Sequence, residues 1–136
     1  QSYSTTPHHY SVEEMILSSE EKCNGLISNF NISFISMVCD YLNIPTELIN
    51  ASEIPQSGVR SDLLISICRH LGATKYVSGP AAKSYIGDEF DIAGIELEWM
   101  DYSNYPEYEQ LHGDFEHQVS IVDLISMEGK GSSKFF

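Results

Sequence analysis

Ser61-Asp62-Leu63-Leu64-Ile65-Ser66-Ile67-Cys68-Arg69-His70-Leu71-Gly72-Ala73-Thr74-Lys75-Tyr76-Val77-Ser78-Gly79-Pro80 is the stretch on which the fold turns. Leu63, Leu64, Ile67, Cys68 and Leu71 recur at three- and four-residue steps, the period of a helix with one buried face. Arg69 and His70 stand near its C-terminus, where positive charge complements the helix dipole, and Gly72 supplies a left-handed cap. The spacing therefore predicts a helix over 61–71 and a short strand over 75–78. The strand meets a Ser78-Gly79-Pro80 corner and a second short helix. Gly94 then opens a strand over 95–100, where Ile95, Leu97 and Trp99 alternate with Glu96, Glu98 and Met100.

Upstream, Thr46 to Asn50 reads as another short strand. Strand, helix and strand joined by short loops make a right-handed βαβ unit with parallel strands. The expected sheet contains 46–50, 75–78 and 95–100, with the first two parallel. The expected class is a small two-layer or three-layer α/β domain with a short, partly parallel sheet and flanking helices. Ile27, Phe30, Phe34, Met37, Val38, Tyr41 and Leu42 form one helical stripe, which Pro45 ends. Ser11-Val12-Glu13-Glu14 reads as a capping box opening a helix that ends near Lys22. Residues 1–10 read as an irregular lead-in, 11–127 as a single α/β domain and 128–136 as a flexible tail.

Twenty acids against 7 bases leave a formal charge of −13, which repels phosphate backbones and anionic lipid. Nucleic acid is thus disfavoured as a partner. No apolar run is long enough to span a bilayer, so membrane insertion is not expected either. Cys23, Cys39 and Cys68 are widely spaced, with no Cys-x-x-Cys pair and no histidine at ligand spacing. They suggest neither zinc nor a disulfide framework and fit a reducing, cytoplasmic compartment. His8-His9 lacks a carboxylate partner at helical spacing and reads as solvent-exposed.

Open parallel sheets gather ligands where strands end and helices begin, which singles out Ser78 and Gly79. Gly79 lets backbone approach a ligand, and Lys83 stands early in the following turn, where the dipole does not favour it. Tyr85 adds a hydroxyl. An ordinary turn with a solvated lysine accounts for the same residues. Glu96 and Glu98 point one way from a strand, as an acid and base pair or as a solvated edge. Ser120-Ile121-Val122-Asp123 reads as a second capping box, which by itself explains a carboxylate there. No Gly-x-Gly-x-x-Gly or phosphate-loop pattern is present, and the cofactor is left unassigned.

Cys39 to Ile44, Ile67 to Pro80, Ala93 to Leu97, Tyr108, Gln110, Gly113, Phe115 and Ser120 to Leu124 together resemble the WbqC-like family, covering most of 25–127 in order. The resemblance implies a bacterial cytoplasmic protein connected with O-antigen and other surface-polysaccharide biosynthesis. It implies an enzyme acting on a nucleotide-linked or glycan amino sugar by acyl or aminoacyl transfer. In that reading Ser78, Gly79 and Lys83 hold an anionic group, and Tyr108 and Gln110 hydrogen-bond the sugar. Asp123 orients or deprotonates a nucleophilic amine. The alternative is a non-catalytic binding or assembly domain that works with another chain, as a homo-oligomer, or with a missing N-terminal segment. The family leads one to expect a further N-terminal segment with a Gln-Pro motif. Ala81-Ala82-Lys83 and Leu63 depart from its usual small residue after Ser-Gly-Pro and its preceding arginine.

Overall fold

A computed structural model describes residues 3–136. Helices α1 (His9–Lys22) and α2 (Ile27–Leu42) are followed by a 3-10 turn at Ala51–Glu53 and helix α3 (Ser61–His70). Strand β1 (Lys75–Ser78), a 3-10 turn (Pro80–Ser84), the short helix α4 (Glu89–Ile92) and strand β2 (Glu96–Trp99) come next. Helix α5 (Ile121–Glu128) and a 3-10 helix (Gly129–Phe135) close the chain. These elements fall into two compact units, one of Gln1–Leu48 with Tyr105–Phe136 and one of Ile49–Asn104.

The first unit is helical. Val12 and Met15 of α1, Val38 and Leu42 of α2 and Ile125 of α5 form its core, with Phe34, Met37, Tyr41 and Ile121 packed around them. Helix α2 ends where Asn43 takes a left-handed conformation (φ 56°) and Ile44 N–H bonds back to Cys39 O at 2.8 Å. Pro45 lies two residues beyond that cap rather than supplying the stop. The lead-in expected to be irregular turns helical at His9, so Ser11 lies inside α1 and caps nothing. Its hydroxyl instead accepts from Tyr41 at 3.4 Å. Thr6 is buried, and His8 N–H donates to Ser126 O at 3.0 Å, which ties the start of the chain to α5. The tail read as flexible forms the closing 3-10 helix, in which the buried Ser132 hydroxyl donates to Gly129 O at 2.6 Å.

The second unit carries the sheet. β1 and β2 are parallel, with Lys75 opposite Glu96 and Ser78 opposite Trp99. Along both strands exposed and half-buried residues alternate. Tyr76, Leu97 and Trp99 pack on a core of Ile65, Cys68, Ala82, Ile86, Phe90 and Ile95. Tyr76 stacks on Phe90 with ring centroids 4.8 Å apart. The small α/β class thus holds, but the third strand does not form. Residues 46–50 carry no regular structure and the described sheet has two strands, so no βαβ unit begins there. The Asn50 side chain accepts from Ser52 N–H at 3.1 Å and from its hydroxyl at 2.9 Å, drawing the chain into a turn where a strand would need to run straight. The parallel crossover is instead β1, the 80–84 turn, α4 and β2. Among the described residues no helix is long and apolar enough to cross a membrane.

Candidate functional site

Helix α5 begins at Ser120, whose hydroxyl accepts from Val122 N–H at 3.3 Å. A full capping box would bring the Asp123 carboxylate back to the start of the helix. Here the carboxylate is committed elsewhere: Oδ2 accepts the Tyr108 hydroxyl at 2.6 Å, and Tyr3 brings a second phenol to the same group. Asp123 is only 5% exposed, so its charge depends on such donors. Ser120 therefore caps alone, and half of the predicted box is replaced by a buried carboxylate facing two tyrosines.

The surrounding residues hold Tyr108 in place. Gln110 Nε2 donates to the Tyr108 hydroxyl at 3.3 Å and to Glu116 O at 2.9 Å, while its Oε1 accepts Glu116 N–H at 2.8 Å. One side chain thereby pins both sides of the 110–116 loop. Phe115 and Phe135 meet the Tyr108 ring edge-on, at centroid distances of 5.3 and 5.5 Å. Burial, then the hydrogen bond to Asp123, pushes the Tyr108 phenol up to about 12. The Tyr3 phenol is raised by the same two causes in the same order. Both phenols thus stay protonated at neutral pH and act as donors. A dry carboxylate among fixed donors and aromatic edges suits a polar ligand that carries its own N–H or O–H groups.

Of the predicted site residues, Asp123, Tyr108 and Gln110 come together in the helical unit. Tyr3, Phe115 and Phe135 complete the group. Phe115 stands among the residues that carry the family resemblance, Phe135 lies in the stretch read as a tail, and nothing in the non-periodic lead-in marks Tyr3. Ser78, Gly79, Lys83 and Tyr85 belong to the other unit. There the Lys83 ammonium lies 5.5 Å from the centroid of the Trp99 ring, at the end of β2. The Tyr102 hydroxyl stands 3.8 Å from where a Cβ on Gly79 would be. Hydrogen bonds from Ser103 (2.6 and 2.9 Å) hold the Asp101 carboxyl below its usual range, with Lys83 adding a smaller effect. Tyr85 is 67% exposed and turns its ring mostly to solvent. Glu96 and Glu98 both bond Lys75, at 3.2 and 2.6 Å, on the exposed side of the sheet. That arrangement is an ion-paired solvated face rather than an acid and base pair. Among the described residues no group of three or more His, Cys, Asp or Glu is placed to hold a metal ion. His9 Nδ1 lies 2.9 Å from Thr6 O.

No solved structure matches the chain. Among curated proteins, the Mycobacterium tuberculosis protein described as "Uncharacterized protein Rv1507c" is 36% identical over 126 residues. That match takes in 90% of this chain and 54% of the relative, so the chain spans about half the length of the protein it is similar to. The model of the WbqC-like protein family matches residues 1–135, a wider span than the 25–127 that the quoted motifs cover. With Tyr108, Gln110 and the Ser120 to Leu124 segment assembled as one group and the match running nearly end to end, the chain belongs to the WbqC-like protein family.

Proposed function

We propose that this chain serves an enzyme of bacterial surface-polysaccharide biosynthesis, O-antigen included, acting in the cytoplasm on a nucleotide-linked or glycan amino sugar. The observation that supports this reading is the Asp123 carboxylate, 5% exposed and bonded to Tyr108 at 2.6 Å rather than to its own helix start. The reaction class is acyl or aminoacyl transfer. Asp123 accepts a proton from the sugar amine as nitrogen attacks the carbonyl carbon of an activated acyl donor. The C–N bond forms and the donor's leaving group departs with its electron pair. Tyr108, steadied by Gln110, orients the carboxylate and offers a hydroxyl to the sugar. Taken by itself, the Ser78, Gly79 and Lys83 corner of the other unit offers a separate place for an anionic group, with Tyr85 at its margin.

Asp123→Asn tests this reading. The amide keeps an acceptor for Tyr108 but loses the charge and most of the basicity. A panel of nucleotide-linked amino sugars and their hydroxy counterparts is screened by thermal shift against both proteins. Amino sugars are expected to stabilise the wild-type chain selectively, and Asn at this position to abolish that response with little change in the unliganded midpoint. Equal responses in both proteins would assign the carboxylate a structural role.

A second reading, a binding or assembly domain, has its own observation. Helix α2 leaves Ile27, Ile32 and Ile35 at 74%, 48% and 51% exposure, an apolar surface suited to a partner chain or a second copy. Sedimentation across a concentration series, with Ile35→Asp as the variant, separates this reading from the enzymatic one.

A further inference from the structure

We infer that the carboxyl ends of β1 and β2 form a mononucleotide platform, in which the Trp99 indole receives the base and the Lys83 ammonium the phosphate. The inference rests on the reading that this corner takes an anionic group. It adds Trp99 and names the ligand class, and it does not involve Asp123.

The two strands end side by side. Parallel register sets Ser78 opposite Trp99, and Met100 N–H donates to Ser78 O at 2.9 Å, closing the last rung. Trp99 is half-buried against the core of this unit, and the Lys83 ammonium sits over its ring at 5.5 Å. The Lys83 side chain is exposed, so its ammonium is held weakly on the indole, whereas a nucleobase stacked on an aromatic ring is held more firmly. Lysine also has a four-carbon stem, so its charge can leave the ring and stay close by. A ligand with both a flat π face and an anion satisfies the two groups at once. The base replaces the ammonium on the indole, and the displaced ammonium meets the phosphate.

The rest of the corner favours that pairing over a bare anion. Asp101, whose carboxyl is engaged by Ser103, lies close enough to feel the Lys83 charge and offsets part of it. Phosphate alone therefore meets a cation with a carboxylate nearby, and the indole contact adds affinity that a bare anion lacks.

Trp99 is the single tryptophan of the chain, so indole fluorescence excited beyond the tyrosine absorption band reports on this site alone. The full chain is titrated with uridine monophosphate, uridine, inorganic phosphate and glucose 1-phosphate, with inner-filter correction. Uridine monophosphate is expected to quench saturably, about tenfold tighter than inorganic phosphate or glucose 1-phosphate. Lys83→Ala clears the ring and removes the phosphate's partner, so uridine should bind no more weakly while uridine monophosphate loses about tenfold relative to uridine. Trp99→Phe, followed by calorimetry, should weaken both nucleotide and nucleoside. Equal midpoints for phosphate and nucleotide would overturn the platform while leaving the anion corner standing. Glucose 1-phosphate matching the nucleotide would put a sugar on the indole and overturn the base assignment. Quenching by none of the four would overturn both the platform and the anion corner, with the Asp123 reading judged separately by its own variant.

Discussion

Removing one oxygen at position 108 tests the electrostatics of the buried carboxylate directly. In Tyr108→Phe the ring and its contacts with Phe115 and Phe135 remain, but the 2.6 Å bond to Asp123 Oδ2 is lost. Hydrogen bonds to charged groups contribute about 1.5–3 kcal/mol, so the variant should lose roughly that much stability near neutral pH. The proton linkage supplies an independent magnitude. The phenol rises from 10.0 to about 12 on folding, through burial first and the bond to Asp123 second. At about 1.36 kcal/mol per pH unit this amounts to ~2.7 kcal/mol, reduced to roughly 1–2 kcal/mol by solvent screening of a partly exposed ring; with burial the larger cause, it sizes the stability lost at alkaline pH rather than the bond alone. The native state favours the protonated phenol. Its contribution is therefore fully present below pH 10 and is lost as pH rises through about 12.

Urea unfolding across that window, with a phenolate absorbance titration of the folded chain, measures both quantities. Of the 8 tyrosines, the highest-titrating step should vanish in Tyr108→Phe and move down towards 10 in Asp123→Asn. If the phenylalanine variant is as stable as the parent and shows the same alkaline loss, the Tyr108 to Asp123 bond is not the linked group.

Three further outcomes follow from single contacts. Gly129 has φ 56°, and a Cβ there would meet the His8 ring at 2.7 Å; Gly129→Ala should cost roughly 2–3 kcal/mol in chemical denaturation. Ser126 is fully buried and its hydroxyl has no partner among the described residues, so Ser126→Ala should be neutral or raise stability by up to about 1 kcal/mol in the same assay. Gln110→Ala removes both bonds to Glu116 and should speed amide exchange at residue 116, while the α1 and α2 amides keep their protection.

Local chemistry made much of this protein legible. Helical spacing from Leu63 to Leu71 and the cap at Gly72 place α3 within a residue of where it lies, and alternation from Ile95 to Met100 identifies β2. These signals are short-range, because each depends on neighbours three or four residues away or on every second residue. Short-range signals mislead at 46–50, where apolar Leu48 and Ile49 resemble a strand but the Asn50 side chain takes Ser52 into a turn. They mislead again at Ser11, because a capping signature carries no information about a helix that begins two residues earlier and is tied to α5 through His8.

The site divides along the same line. Ser120 and Asp123 are three residues apart, so the sequence alone determines that a hydroxyl and a carboxylate stand in the first turn of α5, and it makes each a candidate for capping. Whether the carboxylate caps the helix or faces a ligand depends on donors at positions 108 and 3, distant in the chain. Residue order does not encode where those phenols end up. Tertiary contacts decide it: Gln110, Phe115 and Phe135 hold Tyr108, and burial of Asp123 then makes its bond to that phenol strong enough to win over the helix start.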